Sequence, residues 1–167
     1  TAFGVGKSLK KTCILVKDSA SFITNRLLGR FMGEFSKIVD EGTDVEVANE
    51  AFGGLAPMPP FVLLGLVGPA IALHNSETLH RAFGDRFYVS SNLQKIVAAG
   101  KPGYYLPDGS LDPEVEALLE KPAEPVSLSV EQARERILSV IAEEVGLMLK
   151  EGVAQAPMDI DLAMITG

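Results

Sequence analysis

Asn25 and Arg26 stand side by side where an apolar run begins, in FITNRLLGRF from Phe22 to Phe31. A carboxamide there can do one of two things. Its NH₂ can donate to a carbonyl or alkoxide-like oxygen while remaining neutral as charge develops nearby. Alternatively it only satisfies the free backbone N–H groups of a helix start, a task for which Asn is well suited. Arg26 reads as a structural partner for a carboxylate. Other candidate sets fail on spacing. Gly4-Val5-Gly6-Lys7-Ser8 ends like a phosphate loop, but Thr1 occupies the position of its first glycine, and no strand leads into it. The same glycines fail as a dinucleotide fingerprint because Leu9 stands at its third glycine. His74 and His80 are six residues apart and fall on roughly opposite sides of a helix, which is the wrong spacing for a metal pair. No Gly-x-Ser-x-Gly elbow occurs. Asp108, Asp112, Glu114 and Glu116 read as a solvated acidic face.

Composition narrows the class. The 167 residues are 47% hydrophobic, enough for one or two small cores, and the net charge of −7 argues against a nucleic-acid binder. The most apolar stretch, Leu55 to Leu73, is broken by prolines and glycines, so no membrane span is expected. No secretory leader pattern is present. The lone Cys13 excludes an internal disulfide framework and suits a reducing compartment, which points to the cytoplasm.

The elements that must hold Asn25 are mainly helical. Thr12 to Val16 (TCILV) reads as a short buried strand, with Cys13 inert inside it. From Thr24 to Glu41, Leu27, Leu28, Phe31, Phe35, Ile38 and Val39 form one helical face, and Gly42 stops it. Shorter helices are expected over Val45–Phe52, Phe61–Val67, Pro69–Phe83, Asn92–Ala99 and Asp112–Leu119, with KPAEPV (121–126) as a linker. A second long helix is expected from Ser129 to Glu151.

That second helix repeats the first. Ile137, Leu138, Ile141, Val145, Met148 and Leu149 each lie 110 residues after a counterpart. Arg136 matches Arg26, Glu144 matches Glu34, Glu151 matches Glu41 and Gly152 matches Gly42. Asp159-Ile160-Asp161-Leu162-Ala163 then resembles Asp44-Val45-Glu46-Val47-Ala48. Shared stripe, stop glycine and following segment together predict a duplication. Nothing after Thr166 matches Pro57 to Phe83, and TCILV has no partner strand, so the sequence is expected to be a piece of a longer chain. Glu135 replaces Asn25 in the repeat, so the packing face recurs and the polar head does not.

The stretch KDSASFITNRLL (17–28) resembles the junction in 3-hydroxyacyl-CoA dehydrogenases, where a strand runs into K-D-x-P-G-F-x-x-N-R. Glu41-Gly42, Pro57-Met58-Pro59-Pro60-Phe61, Leu66-Val67-Gly68, Gly100 to Tyr105 and Asp159 to Met164 resemble later motifs of the family, in order. Ala20 and Ser21 depart from Pro-Gly, and Pro59 departs from Gly, which puts loop shape around an acyl-CoA in question. The resemblance implies an all-α region of the 6-phosphogluconate-dehydrogenase C-terminal-domain type, preceded by a strand left over from a Rossmann domain. It divides the chain into the tail of an NAD-binding domain (1–18), a first helical domain (19–121), a linker (122–127) and a truncated second copy (128–167), the tandem layout of multifunctional α-subunits. It also implies oxidation of 3-hydroxyacyl-CoA to 3-oxoacyl-CoA in fatty-acid β-oxidation. NAD and the His–Glu pair would lie in the upstream domain, leaving this piece inactive alone. Asn25 becomes the catalytic contact, with Ser21 beside it against the acyl-CoA. The implied partners are acyl-CoA, the NAD-binding domain, and a second helical copy, by self-association or by pairing within the chain. The alternatives are a non-catalytic helical interaction module, or the helical domain of a related hydroxy-acid dehydrogenase.

Overall fold

A computed structural model describes residues 1–54 and 57–166, so Leu55, Ala56 and Gly167 of the expected segments lie outside the described residues. The described chain is mainly helical and contains no strand. It runs α1 (Ala2–Ser8), α2 (Thr24–Asp40), α3 (Val45–Glu50), α4 (Pro60–Val67), α5 (Pro69–Phe83), a 3₁₀ turn (Gly84–Arg86), α6 (Ser91–Ala98), α7 (Pro113–Leu118), α8 (Val130–Lys150) and α9 (Pro157–Thr166). Proline opens α4, α5 and α7, where its missing N–H costs nothing. Ser129 and Gln132 form a capping box at α8.

Two expectations at the N-terminus are corrected, the strand over Thr12 to Val16 and the burial of Cys13. Ala2–Ser8 forms a helix, capped by the Thr1 hydroxyl, which accepts from the Gly4 N–H at 3.3 Å. Thr12 to Val16 has no regular secondary structure and makes no ladder, because no strand stands beside it among the described residues. It lies instead across the far end of α8, where the Lys17 N–H donates to the Val153 carbonyl at 3.1 Å and Ile14 and Val16 pack on the second core. Cys13 is therefore half-buried rather than buried, its sulfur set against Gly6 of α1.

Two cores hold the helices. Phe31, Phe35 and Ile38 of α2 meet Phe61, Ile96, Tyr104 and Ile137 in the larger one. Its rings interlock, with Phe61 and Tyr104 centroids 4.5 Å apart and Phe31 stacked on Phe52 at 5.4 Å. The smaller core joins Ile23 and Leu27 to Met148, Val153 and Ile160.

The long helices α2 and α8 lie against each other and exchange charges. Arg26 of α2 bonds Glu144 (2.6 Å) and Glu151 (2.7 Å) of α8 and its end. Arg136 of α8 bonds Glu34 (2.6 Å) and Glu41 (2.5 Å) of α2 and its end. These are the four pairs that the 110-residue offset relates, so one helix reproduces the contacts of the other. The exchange extends to the flanks. The segment before α8 reaches the end of α2, with the Val126 N–H donating to the Glu41 carbonyl at 2.8 Å. The segment before α2 reaches the end of α8, through Lys17. Thr24 at the head of α2 donates to the Ala163 carbonyl in α9 at 3.2 Å. Arg134 at the head of α8 donates to the Ala51 carbonyl after α3 at 2.9 Å.

Candidate functional site

Asn25 sits in the first turn of α2 and is exposed. It is not the helix cap. That position belongs to Ile23, which supplies no side-chain bond, while Thr24 is turned to α9. The purely structural role open to Asn25 in the sequence is thus not the one it plays. Its carboxamide makes no hydrogen bond among the described residues, and the first N–H groups of α2 have no side-chain acceptor. A polar ligand atom here would meet a free amide donor and the positive end of a helix of 17 residues.

Ser21 stands one turn before, in a bend that the sequence could only partly foresee. Ser21 (φ +61°) and Phe22 (φ +50°) both occupy the left-handed region, which costs a non-glycine residue about 1–2 kcal/mol. The position where the family has Gly is thus one where glycine would be unstrained, and the loop keeps its turn with Ser. The Ser21 hydroxyl donates to the Asn75 side-chain oxygen of α5 at 3.3 Å.

Asn75 was not singled out by the sequence, yet it lines the same groove as Asn25. The groove, about 220 Å³, runs from these two amides between α2, α4 and α5. Leu28, Met32, Leu64, Ala72 and Leu93 make it apolar. Gly29 lets α5 approach α2, since a Cβ there would fall 2.3 Å from a Leu79 methyl and 3.0 Å from the Asn75 amide nitrogen. At the other end Tyr88 and Ser90 donate to Asp40 at 2.9 and 3.1 Å, and the Ser91 N–H donates at 3.1 Å. Burial and then the Asp40 carboxylate push the Tyr88 hydroxyl above its ordinary range, so it stays a protonated donor.

Arg26 points the other way and is fully buried. Beyond its two glutamates it lies 4.2 Å over the Phe83 ring, with the Arg86 guanidinium 4.7 Å from the same ring. Arg86 shares Glu144 and Glu151. Burial raises Glu151, but bonds from Arg26 and Arg86 outweigh it and hold the carboxyl below its usual range. On the other side the Arg136 bonds hold Glu41 low against a smaller burial effect.

The counterpart of Asn25 presents a different surface. Glu135 lies with Glu50, Glu131 and Arg134 around an open hollow, and Leu138, the match of Leu28, is 44% exposed. Neither histidine belongs to the groove: His74 is exposed, and His80 Nδ1 lies 2.9 Å from the Phe87 carbonyl. Among the described residues no cluster suits a metal, and no helix is long and apolar enough to cross a membrane. Gly4 and Gly6 lie inside α1 rather than in a loop at a helix start, so among the described residues they do not form a dinucleotide cradle.

The family described as the 3-hydroxyacyl-CoA dehydrogenase C-terminal domain matches residues 22–112, more than half of the chain and including Asn25 and the groove. The chain is 29% identical to a fatty acid oxidation complex subunit alpha of Shewanella halifaxensis, over 100% of its own length and 25% of that protein. It is 27% identical to a peroxisomal fatty acid beta-oxidation multifunctional protein of Arabidopsis thaliana, over 98% and 25%. A glyoxysomal fatty acid beta-oxidation multifunctional protein of Brassica napus is 28% identical, over 98% and 25%. The chain thus spans about a quarter of the length of these relatives. With the family profile covering the site and the resemblance of its motifs running in order from Lys17 to Met164, this chain belongs to the 3-hydroxyacyl-CoA dehydrogenase C-terminal domain family, a family of oxidoreductases.

Proposed function

We propose that this chain is the substrate-binding and helix-pairing region of an NAD-dependent 3-hydroxyacyl-CoA dehydrogenase acting in fatty-acid β-oxidation. The observation that carries this is Asn25: a free carboxamide at the open head of α2, at the mouth of an apolar groove, within the family match. Its role is to donate a hydrogen bond to the oxygen of the substrate that gains carbonyl character, and the α2 N-terminus favours negative charge in the same place. Ser21 contacts the substrate less directly, by fixing Asn75 across the mouth. The oxidation itself, with its base and NAD, we assign to an upstream domain of the intact protein, and the chain alone is then inactive. The names of the relatives, which speak of fatty acid oxidation and multifunctional proteins, support this substrate class. In this reading residues 1–18 end the NAD-binding domain, 19–121 form a first helical domain, 122–127 a linker, and 128–167 part of a second copy. That second copy stands in for a dimer partner, and the reciprocal Arg–Glu exchange supports it. The free thiol of Cys13 suits action in the cytoplasm.

The test is NADH formation from NAD and a 3-hydroxyacyl-CoA. The full-length protein should produce it and the 167-residue chain should not. No turnover by the full-length protein would overturn the reading, and a non-catalytic helical module would then replace it. Turnover of a free hydroxy acid in preference to the CoA ester would instead favour a related hydroxy-acid dehydrogenase.

A further inference from the structure

We propose that the groove leading away from Asn25 is the seat of the substrate's acyl chain, and that the Asp40–Tyr88–Ser90 cluster at its end sets the chain length accepted. This rests on the reading of Asn25 as the contact for the substrate's reacting oxygens. Three observations carry it. First, the groove changes character along its length. Two amides, Asn25 and Asn75, flank the mouth, while Leu28, Met32, Leu64, Ala72 and Leu93 line the deeper part. A ligand with a polar head and a hydrocarbon tail fits that order. Second, the groove is held open by construction. Gly29 and Gly33 on α2 carry no side chain into it, and a Cβ at Gly33 would already lie 3.4 Å from the Tyr88 carbonyl. Third, the groove has a polar end. Asp40 accepts from Tyr88, Ser90 and the Ser91 N–H, and a tail pushing past them would strand a carboxylate that three donors now satisfy. From Asn25 to Ser36 along α2 is about 16 Å at 1.5 Å per residue, which gives the seat a definite depth. Ser36 is buried beside that end and makes no side-chain hydrogen bond among the described residues.

Binding of saturated acyl-CoAs, from butanoyl to hexadecanoyl, to the full-length protein by titration calorimetry tests this without requiring turnover. Affinity should rise about fourfold for each methylene seated, then level once the tail reaches the Asp40 cluster. Ser36→Leu fills the deep end. It should move that plateau to shorter chains, so that hexadecanoyl-CoA loses far more affinity than butanoyl-CoA. Met32→Ala removes a wall midway, and should weaken long-chain binding several-fold and butanoyl-CoA binding less. It decides the matter if Ser36→Leu does not fold. Other acyl-CoA sites in the full-length protein add a background that neither variant alters. A wild-type affinity independent of chain length would overturn the proposal, as would folded variants with an unchanged length profile. The two readings fail separately. NADH formation with a flat length profile removes the groove and keeps the dehydrogenase. A length profile shifted by the variants, with no NADH formed from any 3-hydroxyacyl-CoA, keeps the groove and removes the dehydrogenase.

Discussion

The heads of α2 and α8 began from the same pattern and ended differently. Both helices carry the stripe, the arginine, the two glutamates and the stop glycine, and both use them to grip each other. At the head of α2, Asn25 opens onto a groove that α4 and α5 close. At the head of α8, Glu135 faces an open hollow among Glu50, Glu131 and Arg134, with Leu138 exposed where Leu28 is covered. The charge pairs recur, and the surfaces that the two heads present do not. A residue that recurs across the offset is held by the interface; one that does not is free to serve a ligand.

The sharpest break in that symmetry is burial. Arg26 and Glu144 are both 0% exposed in their side chains, whereas in the matching pair Arg136 is 29% exposed and Glu34 6%. Arg26→Ala would remove the 2.6 Å bond to buried Glu144, leaving it looser contacts with Arg86 and Arg30 at 3.4 and 3.9 Å, and should cost about 3 kcal/mol. Arg136→Ala leaves Glu34 still paired with Arg30 at 3.2 Å and Glu41 where water reaches it, and should cost about 1 kcal/mol. Urea unfolding of both variants measures this, and equal losses would show that the coverage by Phe83 and Arg86 adds nothing.

The stop glycines differ next. Gly42 (φ +112°) packs on the segment before α8, and a Cβ there would fall 2.5 Å from Pro125 Cβ and 2.9 Å from its Cα. Gly152 (φ +70°) has nothing within 4 Å. Gly42→Ala should therefore cost about 2–3 kcal/mol, strain plus clash. Gly152→Ala should cost about 1 kcal/mol, from strain alone. Chemical denaturation midpoints at constant slope report both.

Acid should weaken the grip from both sides, by a smaller amount. Glu41 and Glu151 have folded pKa values below the ordinary 4.5, so each contributes stability that is fully present above that pH. The contribution fades as pH falls below 4.5 and through the lowered folded values. Melting temperatures across that range should fall less steeply in the Glu41→Gln, Glu151→Gln double variant. An identical slope would place the acid sensitivity elsewhere.

Much of this was legible in the sequence, for identifiable reasons. The stripe from Leu27 to Val39 has a strong helical period, and α2 forms over Thr24–Asp40. The Arg and Glu positions share the offset because each pairs across to the opposite helix, and the two glycines because each helix ends on a positive φ. TCILV misled because a short β-branched apolar run looks the same whether it joins a sheet or lies over helix ends; the distinction depends on neighbours, not on the run. Helix α1 was hidden by Gly4 and Gly6, poor helix formers offset by the Thr1 cap. The groove was the least legible part. Asn25 and Asp40 lie at the two ends of α2, Asn75 is on α5 and Tyr88 precedes α6, and no spacing in the sequence ties them together.

The division between a working head and a packing head is tested most directly by Asn25→Ala and Glu135→Ala, made separately in the full-length protein and assayed for NADH formation from a 3-hydroxyacyl-CoA. Neither side chain is buried, so both variants should melt with the wild type. Asn25→Ala should lower kcat about a hundredfold, as expected for loss of one donor to a developing charge. Glu135→Ala should leave kcat unchanged. Wild-type kinetics in Asn25→Ala, or equal losses in the two variants, would contradict the account.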